Sequence, residues 1–185
     1  MRVFARQGFF KSAVSQIARE AGVADGTIYL YFKNKEDILV QFFTYKTKLV
    51  FEGFKDAVRA GSGAEEQLRN LIRRHLTEFR DDPDMARLYQ AEMRRHSRLA
   101  EQEIRAMSQM YQDLVAEIIE KGQQEGTIRQ DLNPSLVKRM IIGTLDEIIS
   151  TWLHSGGGHD LVALTDHLVE LFLQGIGQGQ PGPAA

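Results

Sequence analysis

Apolar residues recur along this chain at steps of three and four, the spacing that gathers side chains on one face of an α-helix, and no long strand-like alternation appears. A short helix carries Val14, Ile17, Ala18 and Ala21, with Ser12 placed to cap it and Gly22 to end it in the left-handed conformation. A second short helix covers about residues 25–32. Asn34 opens a long third helix, with Asp37 at the reciprocal capping position, and its stripe is Ile38, Leu39, Phe42, Leu49, Val50, Phe54 and Val58. Gly61 and Gly63 break the pattern. It resumes through Leu68, Leu71, Ile72, Leu76 and Phe79. Asp82-Pro83 and Asn133-Pro134 each read as a cap followed by proline at the first helical position. They open helices reaching about Ser97 and Trp152. Between them a helix runs from Ile104 to Lys121 and ends in a turn at Gly122 and Gly126. After Gly156–Gly158 a last helix spans about residues 160–176. The expectation is an all-α chain of about nine helices, followed by a Gly/Pro-rich tail over 178–185 that is expected to be disordered.

Composition narrows the class. The 185 residues include no cysteine, which excludes disulfides and thiolate chemistry. No stretch approaches the ~20 apolar residues of a membrane span, and nothing at the start reads as a signal peptide, so a cytoplasmic location and no membrane partner are expected. The net charge is −2, but residues 1–35 hold six basic residues (Arg2, Arg6, Lys11, Arg19, Lys33, Lys35) against two acidic ones (Glu20, Asp25). A basic head on an acidic body is the footprint of a nucleic-acid contact confined to one end.

The two short helices and their glycine turn form a helix-turn-helix, although any αα-hairpin shows the same outline. Val14, Ile17, Ala18, Val23, Ile28 and Phe32 are spaced to close a small core. The second helix then exposes Ala24, Asp25, Thr27, Tyr29, Leu30 and Tyr31, and its first turn would enter the major groove. Ala24 and Gly26 are small enough to let base edges approach. Tyr29, Tyr31 and Lys35 carry donors suited to phosphates.

The literal residues Ile17-Ala18, Ala21-Gly22-Val23, Gly26-Thr27-Ile28-Tyr29-Leu30-Tyr31-Phe32 and Lys33-Asn34-Lys35-Glu36-Asp37-Ile38-Leu39 strongly resemble the DNA-binding segment of the TetR family. The resemblance implies a dimeric repressor on a palindromic operator, with DNA contacts at Ser12, Asp25, Gly26, Thr27, Tyr29, Tyr31 and Lys35. It implies a helix-turn-helix domain over 1–40 and a ligand-binding and dimerisation domain over 41–177. The homodimer would form through the helices at 133–153 and 160–177, whose apolar faces are broad enough for burial on two sides. Asp25 departs from the basic or small polar residue of many relatives. It either accepts from a cytosine amino group or caps its own helix. Relatives also have a first helix of about four turns, whereas here only Arg2 to about Gln7 precede the turn. Either the start is truncated or the fragment suffices. So short a helix is expected to leave Ile17 and Phe32 under-covered, at roughly 1.5–3 kcal/mol per exposed large side chain.

Ala21 to Leu39, Gly143-Thr144-Leu145-Asp146-Glu147 through Trp152, and Asp160-Leu161-Val162-Ala163-Leu164 resemble the FadR-like branch of that family, which regulates fatty-acid degradation. That branch implies a repressor of β-oxidation genes released by long-chain acyl-CoA as effector, with no cofactor. Such a ligand needs an apolar tunnel and cations for its phosphates. On the helix from Pro83, Arg87, Arg94 and Arg98 fall on one stripe, beside an apolar face of Leu88, Tyr89, Met93 and Leu99. The stripe also fits a solvated basic face. Phe79, Met85, Leu88, Met107, Met110, Tyr111, Leu114, Ile148 and Trp152 are either tunnel lining or ordinary bundle core. The Trp152 indole N–H needs a partner in either case.

An enzyme is not expected. A helical di-iron site requires two Glu-x-x-His pairs, and there is none. His75 with Glu78 has the reverse order, and all five histidines read as surface or satisfied core residues. There is no Gly-rich phosphate loop and no Gly-x-Ser-x-Gly. The alternative within the same fold is a multidrug sensor controlling an efflux gene, for which Glu92 and Glu147 are the acids a cationic drug would seek.

Overall fold

The computed structural model describes residues 2–95 and 101–176, with the side chains of 92–95 and 176 outside that description. Among the described residues are nine α-helices and no strand: α1 (Arg2–Gln7), α2 (Val14–Ala21), α3 (Asp25–Tyr31), α4 (Lys35–Arg59), α5 (Ala64–Asp81), α6 (Pro83–Arg95), α7 (Glu101–Glu125), α8 (Pro134–His154) and α9 (Thr165–Ile176), with a 3₁₀ turn at Val162–Leu164. The all-helical expectation is met. The tail at 178–185 lies outside the described residues.

Most helix ends are set by the local chemistry the sequence displays. Asn34 Oδ1 accepts the Asp37 N–H at 2.8 Å, while Asp37 Oδ2 accepts the Lys33 N–H at 2.8 Å. Asp82 Oδ1 accepts from Met85 N at 3.0 Å, and Asn133 Oδ1 accepts from Ser135 N and Leu136 N ahead of Pro134. Gly22 ends α2 at φ +70°, which closes the 5→1 and 6→1 type turn that satisfies the last carbonyls.

Two ends differ from expectation. Ser12 does not cap α2: the cap position is Ala13, and Gln16 Oε1 accepts the Ala13 N–H at 2.9 Å instead. Gly122 does not end α7, which continues to Glu125 and turns at Gly126, φ +75°. Gly122 serves packing: a Cβ there would stand 2.7 Å from Ile128 Cδ1 and 3.2 Å from Ala64 Cβ.

The chain forms two compact units. One holds residues 1–50 and 82–108, the other 51–81 and 109–185. The unit with the helix-turn-helix thus reaches beyond 1–40 and takes in α6 and the start of α7. Its core is Phe4, Phe9, Ile17, Ala18, Ile28, Ile38, Leu39 and Phe43, closed by Leu88 from α6 and Ile104 from α7. Ile17 is therefore buried despite the short α1, contrary to the expected shortfall. Phe4 and Phe9, tilted rings with centres 5.5 Å apart, share this cluster with Ile17 and Leu88. Phe32 is half-buried against the same cluster.

The second unit packs α5 against α8 and α9 around Leu68, Leu71, Ile72, Leu76, Ile141 and Leu145, all fully buried. Arg69 joins α5 to α9 through Asp166 at 2.6 Å.

Candidate functional site

The seven-residue α3 is anchored by Ile28, which is buried, and stands on the cap residue Ala24. Its other positions face outward: Asp25, Gly26, Tyr29, Leu30 and Tyr31 are exposed, and Thr27 is half-buried. Leu30 and Tyr31 are 79% and 73% exposed, a large apolar-aromatic surface for a helix with no covering element. Gly26 has a normal backbone and open space where a Cβ would stand, so the fold itself does not demand glycine there. Its small size matters only to something that approaches from outside. Asp25 occupies the first turn, where a carboxylate suits the helix dipole, while the cap position is Ala24, which makes no side-chain cap hydrogen bond. Val23, expected in the small core, is on the surface.

Two of the seven DNA-contact candidates have work inside the protein. Ser12 is buried and its hydroxyl donates to Gly8 O at 2.7 Å. Lys35 is half-buried. Its ammonium donates to Ser12 O at 3.0 Å and Phe10 O at 3.4 Å and lies 4.4 Å from the centre of the Phe9 ring. It ties the start of α4 to the loop before α2.

The ligand-site candidates divide between the two units. In the first, Arg87 is exposed and pairs with Asp84 at 3.1 Å. Leu88 is buried in the core around the helix-turn-helix and Tyr89 packs on it, because α6 turns that face toward α1. Helical periodicity marks a buried face but not what buries it. Met107 is buried. Met93, Arg94 and Arg98 have side chains outside the described residues. In the second unit Met110 is half-buried and Tyr111 and Trp152 are buried. The indole N–H of Trp152 donates to His159 O at 2.9 Å.

Tyr111 leads to a residue the sequence reading set aside. Its hydroxyl lies 2.6 Å from His75 Nδ1, and both are buried. His75 sits 5.0 Å from Phe79 and 5.7 Å from Phe54, ring centre to ring centre, and Tyr111 is 5.2 Å from Phe54. Burial pushes the imidazole down to about 3, so it is neutral near pH 7. The signal was present in the sequence: His75 continues the stripe Leu68, Ile72, Phe79 at steps of four, three and four.

On α8 the outward face carries Leu136 and Met140, 65% and 40% exposed, and on α9 it carries Leu171 at 65%. Gly143 and Gly175 lie beside them with open space where a Cβ would stand. Among the described residues no cluster of His, Asp and Glu could hold a metal ion, and no helix is long and apolar enough to cross a membrane.

An outward-facing recognition helix on a compact head defines a helix-turn-helix DNA-binding protein. Residues 1–42 match the family described as bacterial regulatory proteins, tetR family, and residues 43–175 match the YsiA-like protein C-terminal region. The chain belongs to the TetR family of transcriptional regulators, a family of regulators and not of enzymes. It is 38% identical over 176 residues to the fatty acid metabolism regulator protein of Bacillus subtilis, covering 95% of this chain and 91% of that one. Among solved structures it resembles the Bacillus subtilis transcriptional regulator FadR in complex with stearoyl-CoA, with a TM-score of 0.84, 38% identity and 94% of each chain covered. It also resembles the fatty acid degradation regulator FadR of Bacillus halodurans, with a TM-score of 0.86 and 34% identity over 94% of this chain and 90% of that one.

Proposed function

We propose that this chain is a dimeric repressor of fatty-acid degradation genes that binds a palindromic operator and is released by long-chain acyl-CoA. The observation that carries the reading is the likeness, along nearly the whole chain, to a regulator whose crystal structure holds stearoyl-CoA. The exposed face of α3 (Asp25, Gly26, Thr27, Tyr29, Tyr31) would meet DNA, with Lys35 shared between phosphate and loop. Leu136, Met140 and Leu171, with the close approach that Gly143 and Gly175 permit, would meet their copies in a second subunit across α8 and α9. Arg87, Arg94 and Arg98 would take the phosphates, and Met107, Met110, Tyr111 and Trp152 would border the acyl chain. Leu88 and Tyr89 have another part in this reading. They fix α6 to the head, so an effector that displaces α6 disturbs the core beneath the recognition helix.

Release requires tighter effector binding by the conformation that fits the operator badly. A coupling of ~1–3 kcal/mol lowers operator affinity about 5- to 150-fold. The test is selection of operator fragments from genomic DNA, followed by anisotropy titration with CoA, lauroyl-CoA and stearoyl-CoA. Release is expected to sharpen with tail length, since each buried methylene contributes up to ~0.8 kcal/mol. No selected fragment would remove the repressor reading. Release by cationic drugs and not by acyl-CoA would move the protein to efflux control.

A further inference from the structure

We propose that Leu30 reads a thymine methyl group in each half-site of the operator and so determines part of the sequence that α3 selects. The assignment rests on the DNA-binding reading above and names a base which that surface recognises. Leu30 is the most exposed large apolar side chain among the described residues, at 79%. Ile28 is the buried residue of α3, and Leu30 stands about 200° around the helix from it, on the opposite side. The core of the head does not use this leucine. It carries no charge and makes no hydrogen bond, so it gains nothing from the phosphates that Tyr29 or Tyr31 can engage. It gains free energy only where water leaves apolar surface on both partners. On the base edges of the major groove that surface is the C5-methyl of thymine, which adenine, guanine and cytosine lack.

Gly26 supports the assignment. It lies four residues before Leu30, on the same face of the helix. A Cβ at 26 would meet open space, so the fold does not require glycine there. A helix with no side chain at 26 lies closer to the floor of the groove, and the short leucine one turn on then reaches a methyl group. Thr27, three residues before Leu30, borders the same face and is half-buried. The face therefore sets one apolar side chain beside a hydroxyl, and thymine presents its methyl beside the O4 acceptor.

The experiment takes an operator fragment selected from genomic DNA and replaces each thymine in turn by deoxyuridine, which removes one methyl group and keeps every base-pair hydrogen bond. Anisotropy titration of the full chain is expected to find one thymine, at the same place in each half-site, whose replacement weakens binding about 4-fold, the worth of one buried methyl group. Leu30→Ala is expected to bind the thymine and uracil operators alike, and Leu30→Met to keep part of the difference. Because the side chain is exposed, Leu30→Ala is expected to unfold at the wild-type midpoint by circular dichroism. Its affinity is expected to fall with salt at the wild-type slope, unlike that of a variant missing a phosphate contact. Wild-type protein indifferent to every uracil overturns the assignment and leaves the repressor reading standing. So does a Leu30→Ala protein as sensitive as wild type at the same thymine, or one that weakens the thymine and uracil operators equally, which would place Leu30 on a sugar. Failure of wild-type protein to select any fragment overturns both.

Discussion

Asp82 holds Lys46 and the start of α6 with one carboxylate. One oxygen lies 3.0 Å from Lys46 Nζ on α4, and the other accepts the Met85 N–H at 3.0 Å. The residue therefore does two jobs that substitutions can separate. Asp82→Asn keeps an acceptor for the cap and loses the ion pair, whereas Asp82→Ala loses both. Both side chains are partly solvated, so the pair alone is expected to contribute ~0–1 kcal/mol, less in high salt. The cap adds about 1 kcal/mol. Thermal unfolding at low and high salt is expected to rank the midpoints wild type, Asn, Ala, with the wild type–Asn gap narrowing in salt. An Asn variant as unstable as Ala would show that the cap contributes nothing.

Lys35 and Tyr29 are expected to behave differently although both were read as phosphate contacts. Lys35→Ala removes an ammonium bonded to Ser12 O and seated over Phe9, so it is expected to lower stability by about 1 kcal/mol as well as operator affinity. Tyr29 is 57% exposed, and Tyr29→Phe is expected to weaken DNA binding with an unchanged midpoint. Urea unfolding beside salt-dependent anisotropy separates the two. A Lys35→Ala protein of wild-type stability would return Lys35 to a purely DNA-facing role.

These two residues also show where a sequence stops being readable. Asn34 with Asp37, Asp82 with Pro83 and Asn133 with Pro134 were legible because a cap is decided within four residues. The exposed face of α3 was legible because Ile28 fixes its inner side. Where Leu88 packs was not legible, since the cluster it joins is built mostly from residues 4–43 and periodicity carries no address. Lys35 and Ser12 look like surface chemistry until the loop folds the Ser12 carbonyl against the ammonium. His75 was visible as a stripe position, but its meaning depends on Tyr111, which arrives from another helix.

Thr47 is buried on α4, and its hydroxyl has no hydrogen-bond partner. Thr44 and Thr144, also on helices, bond back to the carbonyl four residues earlier, to Val40 O at 3.0 Å and Met140 O at 2.7 Å. Thr47→Val replaces the hydroxyl by a methyl of similar size and is expected to raise the unfolding free energy by about 1 kcal/mol. Urea denaturation at pH 7 checks this. A loss of stability would show that the hydroxyl finds a partner in solution.

The neutral state of His75 makes stability depend on pH with a definite sign. Its folded value is about 3 against 6.5 for an imidazole exposed to water, so between those values the unfolded chain binds a proton that the folded chain does not. That contribution is present in full above pH 6.5 and declines as pH falls, by about 1.4 kcal/mol per unit, or roughly 2 kcal/mol by pH 5. The carboxylates add their own slope at lower pH, so the comparison is with His75→Phe over pH 7 to 5. The variant is expected to show a flatter profile by that amount. Parallel profiles would mean that His75 titrates normally and is open to water.

Leu171 tests the subunit interface without touching the core of one subunit. Its side chain is 65% exposed on α9, beside the uncrowded Gly175, while Leu168 and Phe172 on the same helix are buried. In an isolated subunit an arginine at 171 would meet only water and is expected to change stability by less than ~0.5 kcal/mol. In a two-fold dimer the same change puts one charge from each subunit into an apolar seam, at a cost of several kcal/mol per unpaired buried ion. Leu171→Arg is therefore expected to sediment as a folded monomer with wild-type helical content. A palindromic operator binds two heads at once only when they are joined, so the monomer is expected to lose most of its operator affinity through the lost effective concentration. Circular dichroism, analytical ultracentrifugation and anisotropy on the selected operator measure the three quantities. A Leu171→Arg protein that remains dimeric and binds the operator as wild type would place the subunit interface elsewhere on the chain.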